Sequence, residues 1–218
     1  MIFQKNLFNC YFFMAYLKKR LKLLIYLGLI PGTMGCQKPT PPQPPTQATQ
    51  VQNESALSVF QLPNTWTNQN GENITLASWN GKPTLVAMVY TTCTFSCPKL
   101  LADMRRIEKQ IPEADRKRMR FALISIDPER DTPEKLKQFA ADNHLDLAYW
   151  ELLRGTRADV DEMAAVLGFK YQKTSPVDFA HANLLSLFSP SGVLVHQTEG
   201  IGNDGVEMAN QLRQHLKS

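Results

Sequence analysis

Two uninterrupted apolar runs bracket an amphipathic stretch, and this pattern constrains the fold of the chain more than any other. The first, Pro83-Thr-Leu-Val-Ala-Met-Val-Tyr90, carries no charge and is rich in branched side chains. A run of that length and composition suits a strand covered on both faces, as in the interior of a largely parallel sheet. The second, Met119-Arg-Phe-Ala-Leu-Ile-Ser-Ile126, reads the same way. Between them Leu100, Leu101, Met104, Ile107 and Ile111 recur at helical spacing, with Asp103, Arg105, Arg106 and Lys109 placed elsewhere on the wheel. Strand, helix, strand at this spacing is a crossover unit.

The remaining pattern extends that unit. Short strands are expected at 57–62 and 74–76, flanking the Asn-Gln-Asn-Gly turn at 68–71. A helix opens at Thr132-Pro133-Glu134 with Thr132 as its cap. Then come a strand near 148–152, a helix at 157–167, strands near 184–188 and 193–197 joined by Ser-Pro-Ser-Gly, and a last helix at about 205–216. The order predicts an α/β, thioredoxin-like fold: a central mixed sheet flanked by helices, with an N-terminal strand extension. There is room for one such domain, at 54–218, and no internal repeat.

The first 53 residues read differently. Lys18-Lys-Arg-Leu-Lys22 precedes the apolar run Leu23 to Ile30 and a group of small residues, the layout of a signal peptide or signal anchor over 1–35. Met14 would serve as a start that places the basic cluster directly behind the initiator. Thr33-Met-Gly-Cys36 resembles a lipobox, with Cys36 as the lipidated residue. Residues 36–53, dominated by Pro, Gln and Thr, cannot bury a core and form a semi-rigid linker. The expectation is an exported domain held at the bacterial cytoplasmic membrane, facing the periplasm or extracytoplasmic side. The net charge of +4 does not argue for nucleic acid: five of the 24 basic residues precede Cys36, and the rest of the chain carries 19 against 20 acidic ones.

Of four cysteines, Cys10 and Cys36 belong to the leader and anchor, so the exported domain keeps Cys93 and Cys97. A Cys-x-x-x-Cys pair entering a helix brings two sulfurs within one turn, able to grip one ion or to close as a disulfide. Pro98 marks the first helical turn, where free amides and the helix dipole stabilise a thiolate. Thiolates are soft ligands for Cu(I), zinc or iron–sulfur clusters. Two sulfurs leave coordination unfinished, and a third ligand could come from His144, His181, His196 or His215; spacing does not choose among them. Asp127 and Asp131 admit two roles, orienting a metal site or shaping the turn and helix approach.

Four segments in order resemble the SCO/SenC family: Tyr90-Thr-Thr-Cys93-Thr-Phe-Ser-Cys97-Pro98, Ile124-Ser-Ile-Asp127-Pro-Glu-Arg-Asp131-Thr-Pro133, Gly155-Thr-Arg157 with Val160-Asp161, and Asp178-Phe-Ala-His181-Ala ahead of Ser-Pro190-Ser-Gly192. The resemblance runs from about 57 to 216 and picks His181 as the third ligand beside Cys93 and Cys97. It departs between the cysteines, where the family commonly has Pro-Asp, and at Ala180, where it commonly has Asp. The resemblance implies a copper metallochaperone, carrying Cu(I) or Cu(II) to an apo respiratory oxidase subunit with a binuclear copper centre, cytochrome c oxidase subunit II or a similar one. Such a protein is not an enzyme in the ordinary sense. The alternative is a membrane-tethered thiol–disulfide oxidoreductase in which Cys93 and Cys97 are a redox-active pair recharged by a thiol reductant.

Overall fold

A computed structural model describes residues 58–216. The leader, Met14, the linker and Cys36 lie outside the described residues. The described chain starts with a 3-10 turn, Val59–Gln61, followed by strands β1 (Trp66–Asn68) and β2 (Asn73–Ile74) and a second 3-10 turn, Leu76–Trp79. Then follow β3 (Thr84–Val89), helix α1 (Ser96–Lys109), a short helix α2 (Glu113–Arg116), β4 (Arg120–Ser125) and α3 (Pro133–Asp142). The second half comprises β5 (Trp150–Arg154), α4 (Arg157–Leu167), β6 (Tyr171–Lys173), β7 (Phe179–His181), β8 (Leu184–Phe188), β9 (Leu194–Glu199) and α5 (Val206–Leu216).

The two apolar runs are adjacent parallel strands. Strand β3 pairs with β4 from Thr84↔Arg120 to Val89↔Ser125, and β4 pairs in parallel with β5. All six residues of β3 are buried. At roughly 1.5–3 kcal/mol for each large apolar side chain removed from water, Leu85, Val86 and Met88 alone make this strand a major source of cohesion. Strand β8 lies antiparallel on the other side of β3, and the whole sheet runs β2-β1-β5-β4-β3-β8-β9. This mixed sheet flanked by helices is the expected thioredoxin-like fold, with the N-terminal extension forming a hairpin at the β5 edge. None of the helices in the described residues is long and apolar enough to cross a membrane.

Local chemistry explains the element boundaries. Leu100, Leu101, Met104, Ile107 and Ile111 are all buried beneath the sheet. Thr132 caps α3 through Lys135 N–H, and Thr156 caps α4 in a reciprocal box with Asp159. Gly168, in the left-handed conformation, ends α4.

Some expectations fail at the N-terminal edge. The segment expected as a strand at 57–62 is a 3-10 turn in its described part, because Ser58 Oγ accepts from Phe60 N–H and bends the backbone. What strand-like pairing the segment makes is a single bridge, Ser58↔Val193. The strand expected at 74–76 ends at Ile74, since Leu76 and Trp79, three apart, are both buried by a turn of helix. On α1, Asp103 is buried, paired with Arg106 and accepting from Gly202 N–H at 2.8 Å.

Gly192, in the turn between β8 and β9, has φ +80°, and a Cβ there would stand 2.5 Å from Ser58 Oγ and 2.8 Å from Phe60 Cγ. Gly200 has φ +96° but open space around it. Urea unfolding should therefore show Gly192→Ala losing about 2–4 kcal/mol and Gly200→Ala losing about 1 kcal/mol. Equal losses would show that the N-terminal turn yields to the added Cβ without cost.

Candidate metal centre

The site lies beyond the carboxyl ends of the parallel strands, where open α/β sheets place their ligands. Strand β3 delivers Tyr90, and the chain turns through Thr91 and Thr92 to Cys93 before α1 begins at Ser96. Neither Phe95, at the cap position, nor any other side chain caps α1 with an oxygen. Instead Cys97 N–H points at Cys93 Sγ, 3.3 Å away, so sulfur takes the place of a capping acceptor. Pro98 falls in the first turn, as expected, where its missing amide leaves no bond unmade.

Spacing alone left the third ligand among four histidines, and the family resemblance picked His181. The structure brings together Cys93 Sγ, Cys97 Sγ and His181 Nε2, all within 4.8 Å of one another, and no other such trio converges among the described residues. Cys97 Sγ and His181 Nε2 are 3.6 Å apart. An ion about 2.0–2.3 Å from each donor spans that gap. His144 follows α3 with φ +51°, His196 is on β9 and His215 on α5, so none of them joins the pair.

His181 is presented in a definite state. Its Nδ1 lies 2.7 Å from the carbonyl oxygen of Ala182, which can only accept, so in the neutral ring Nδ1 carries the proton and Nε2 is left as an acceptor, 3.0 Å from Ser96 Oγ and 3.6 Å from Cys97 Sγ. The ring stacks on Phe169 and meets the edge of Tyr90 at centroid distances of 5.9 Å. His181 ends β7, which pairs with β6 so that Tyr171 lies opposite it. This hairpin, too short to announce itself in the sequence, is outside the main sheet. Arg130 holds its tip through Val177 O at 2.6 Å. Arg157, a member of the third matching segment, donates to Ile126 O at 2.9 Å and to Tyr171 Oη at 3.1 Å, bracing the hairpin against the end of β4.

The two aspartates divide the roles open to them. Asp127 is buried, pairs with Arg130, and its carbonyl accepts from Arg130 and Asp131 N–H: it builds the turn. Asp131, equally buried, accepts from Ser125 Oγ–H, Thr91 N–H at 3.1 Å and Thr91 Oγ1–H. It touches none of the three converging side chains but pins the cysteine loop to the neighbouring strand end.

The two thiols differ. Burial alone pushes Cys93 up, but the Cys97 thiol and the amides of Cys97 and Phe95 outweigh it and bring Cys93 down to about 6. Cys97, buried behind it, is pushed well above the ordinary thiol range by burial and by the neighbouring Cys93 sulfur. Burial also raises Tyr90, to about 12. Both cysteines are free thiols, Cys93 partly exposed and Cys97 buried.

The family model that matches is SCO1/SenC, over residues 52–217. The chain belongs to the SCO1/SenC family. Among its curated relatives, the SCO1 protein homolog of Bacillus subtilis (strain 168) is 31% identical over 144 residues, covering 65% of this chain and 74% of the relative. The solved structure of Bradyrhizobium japonicum ScoI with copper bound is 28% identical, with a TM-score of 0.61 over 70% of this chain and 97% of that one. BsSco, described as having a disulfide switch and as a member of the Sco family of cytochrome c oxidase assembly proteins, is 27% identical with a TM-score of 0.64, covering 74% of this chain and 95% of that one.

The unequal thiols of this SCO1/SenC chain make a kinetic prediction. The fraction of Cys93 present as thiolate rises with pH through about 6, so alkylation of the reduced protein by iodoacetamide should climb across pH 5–7 and flatten above, with the label on Cys93. Peptide mapping that found Cys97 modified first, or a midpoint above pH 8, would contradict the thiol arrangement.

Proposed function

We propose that this chain captures copper through Cys93, Cys97 and His181 and hands it to an apo respiratory oxidase subunit with a binuclear copper site, cytochrome c oxidase subunit II or a similar one. Copper here is cargo. Two thiolates and one imidazole form a soft donor set suited to Cu(I), and the same set accepts Cu(II). The observation that carries this reading is the convergence of Cys93 Sγ, Cys97 Sγ and His181 Nε2 within 4.8 Å of one another, with His181 Nδ1 tied to the Ala182 carbonyl. In the alternative, a dithiol reductant, His181 would instead tune thiolate reactivity. Copper-bound ScoI and the oxidase-assembly description of BsSco support the same choice.

Capture requires Cys97 to give up a firmly held proton, so metal binding releases protons and tightens as pH rises. Release occurs by ligand exchange at an accessible sulfur. Cys93 is partly exposed, and Phe95 beside it is 73% exposed, leaving one side of the site open to an acceptor. The leader over 1–35 would carry the domain across the cytoplasmic membrane, and the linker over 36–53 would tether it there and concentrate it beside an embedded acceptor. Lipidation at Cys36 supplies the anchor in this reading, and Cys36→Ser should abolish incorporation of labelled palmitate; retained label would place the anchor elsewhere.

The split between the thiols favours a second activity at the same site. A Cys93 thiolate attacks an acceptor disulfide, forming a mixed disulfide and expelling one acceptor thiolate. Cys97, once deprotonated, attacks Cys93 sulfur and expels the second. Two electrons pass to the acceptor, the pair ends as a disulfide, and a separate thiol reductant restores it.

Anaerobic Cu(I) titration of the reduced chain, with X-ray absorption, tests the reading. One copper per chain with two sulfurs and one nitrogen is expected. His181→Ala should weaken binding by roughly tenfold or more while leaving disulfide exchange largely intact, and Cys97→Ser should abolish both. Unchanged affinity in His181→Ala would remove His181 from the site.

A further inference from the structure

We propose that Ser96 is a hydroxyl latch on the copper site: its O–H occupies the His181 Nε2 lone pair in the metal-free protein and must let go before copper binds. The inference rests on the reading of His181 as a copper ligand and adds a residue between the two cysteines that controls how tightly the cargo is held.

Ser96 opens α1, and its Oγ lies 3.0 Å from His181 Nε2 and 3.7 Å from Cys93 Sγ. The direction of the first bond follows from the other side of the ring. Nδ1 carries the imidazole proton because Ala182 O can only accept, so Nε2 is an acceptor and the Ser96 hydroxyl is the donor. Nε2 has one lone pair, in the plane of the ring. The same lone pair is the one a metal ion would take. Cys97 Sγ, at 3.6 Å, is the other neighbour of Nε2, but a thiol is a weak donor and this one is engaged with Cys93. The hydroxyl is therefore the group that competes with copper.

When copper takes Nε2, the freed hydroxyl can turn toward Cys93 Sγ, a longer and softer acceptor. The exchange leaves the metal-bound state short of one good hydrogen bond. When an acceptor withdraws the metal, the hydroxyl recaptures the nitrogen and stabilises the empty site. Ser96 thus weakens capture and assists release, the balance a donor protein requires. The net worth of one neutral hydrogen bond sets the scale, roughly 3- to 10-fold in affinity.

Ser96→Thr and Ser96→Val differ by a hydroxyl against a methyl at nearly constant shape, and Ser96→Ala provides a smaller side chain if Val crowds the helix start. In the reduced full chain, the Thr variant should bind Cu(I) like the parent. The Val and Ala variants should bind roughly 3- to 10-fold more tightly and lose copper more slowly to bicinchoninic acid, used as the competing chelator. The 15N shift of His181 Nε2 in the metal-free protein should move in Val and Ala and stay in Thr, a signature that a merely structural role would not produce. Equal affinity in Val and Thr, or weaker binding in Val and Ala, would overturn the latch. His181→Ala is measured alongside: if it binds copper like the parent, the site assignment itself fails, whereas its loss of copper with Val and Thr indistinguishable removes only the latch.

Discussion

The parallel pairing of β3 with β4 underlies everything at the site. Its register carries through Val89↔Ser125, and Ile126 N–H then donates to Val89 O at 2.8 Å, so the two strands end side by side. The loops that follow must emerge next to each other. One carries Cys93, the other Asp131, and the buried carboxylate of Asp131 joins them through Thr91. A buried charge unsupported by hydrogen bonds would be costly; here three donors satisfy it, and its position is determined accordingly. The cysteine loop is thus held by the sheet, although it lies outside it.

His181 arrives from a different layer. It stands 84 residues after Cys97, on a two-stranded hairpin that pairs with nothing in the main sheet. Two kinds of contact hold it there. Aromatic rings pack around it, with Phe169 stacked on the imidazole and Tyr90 in edge contact with both His181 and Phe179. Polar ties from Arg130 and Arg157 reach the hairpin from the loop after β4 and from the start of α4. Tyr90 has a double position: last residue of the first apolar run and wall of the site. A mutation there would disturb core and site together.

The two loops flanking the central strands also explain the asymmetry of the cysteines. Cys93 sits ahead of the helix, partly in solvent, where amide N–H groups face its sulfur; Cys97 is the second residue of α1, buried against the core. The arrangement suits the proposed activities, since one thiolate is ready at the surface and the second must lose its proton to complete a metal site or to resolve a mixed disulfide. Ser96 lies beside both Cys93 Sγ and the imidazole, in a segment that departs from the common Pro-Asp pattern of the family, and there the chain's own chemistry differs from its resemblance.

Much of this was legible in the residues. The apolar runs at 83–90 and 119–126, the cap at Thr132, the helix at 157–167 and the strand at 184–188 each follow from periodicity or capping, which act over a few residues. The cysteine pair was equally plain, since its spacing on a strand-to-helix turn is local. The short hairpin at 171–181 was not, because three-residue strands carry too little pattern and depend on packing against Tyr90 and Phe169. The N-terminal edge misled for a related reason: Ser58 and the Leu76–Trp79 pair settle into turns only against the rest of the molecule. By itself the sequence determined which side chains could carry soft-metal and thiol chemistry, and the family resemblance narrowed four histidines to His181. Only the tertiary structure decided that His181 Nε2 converges with the two sulfurs while Nδ1 is tied to the Ala182 carbonyl, that Asp131 acts on the loop, and that Ser96 lies against Nε2. Those facts depend on angles and distances between segments far apart in the chain, which no local pattern encodes.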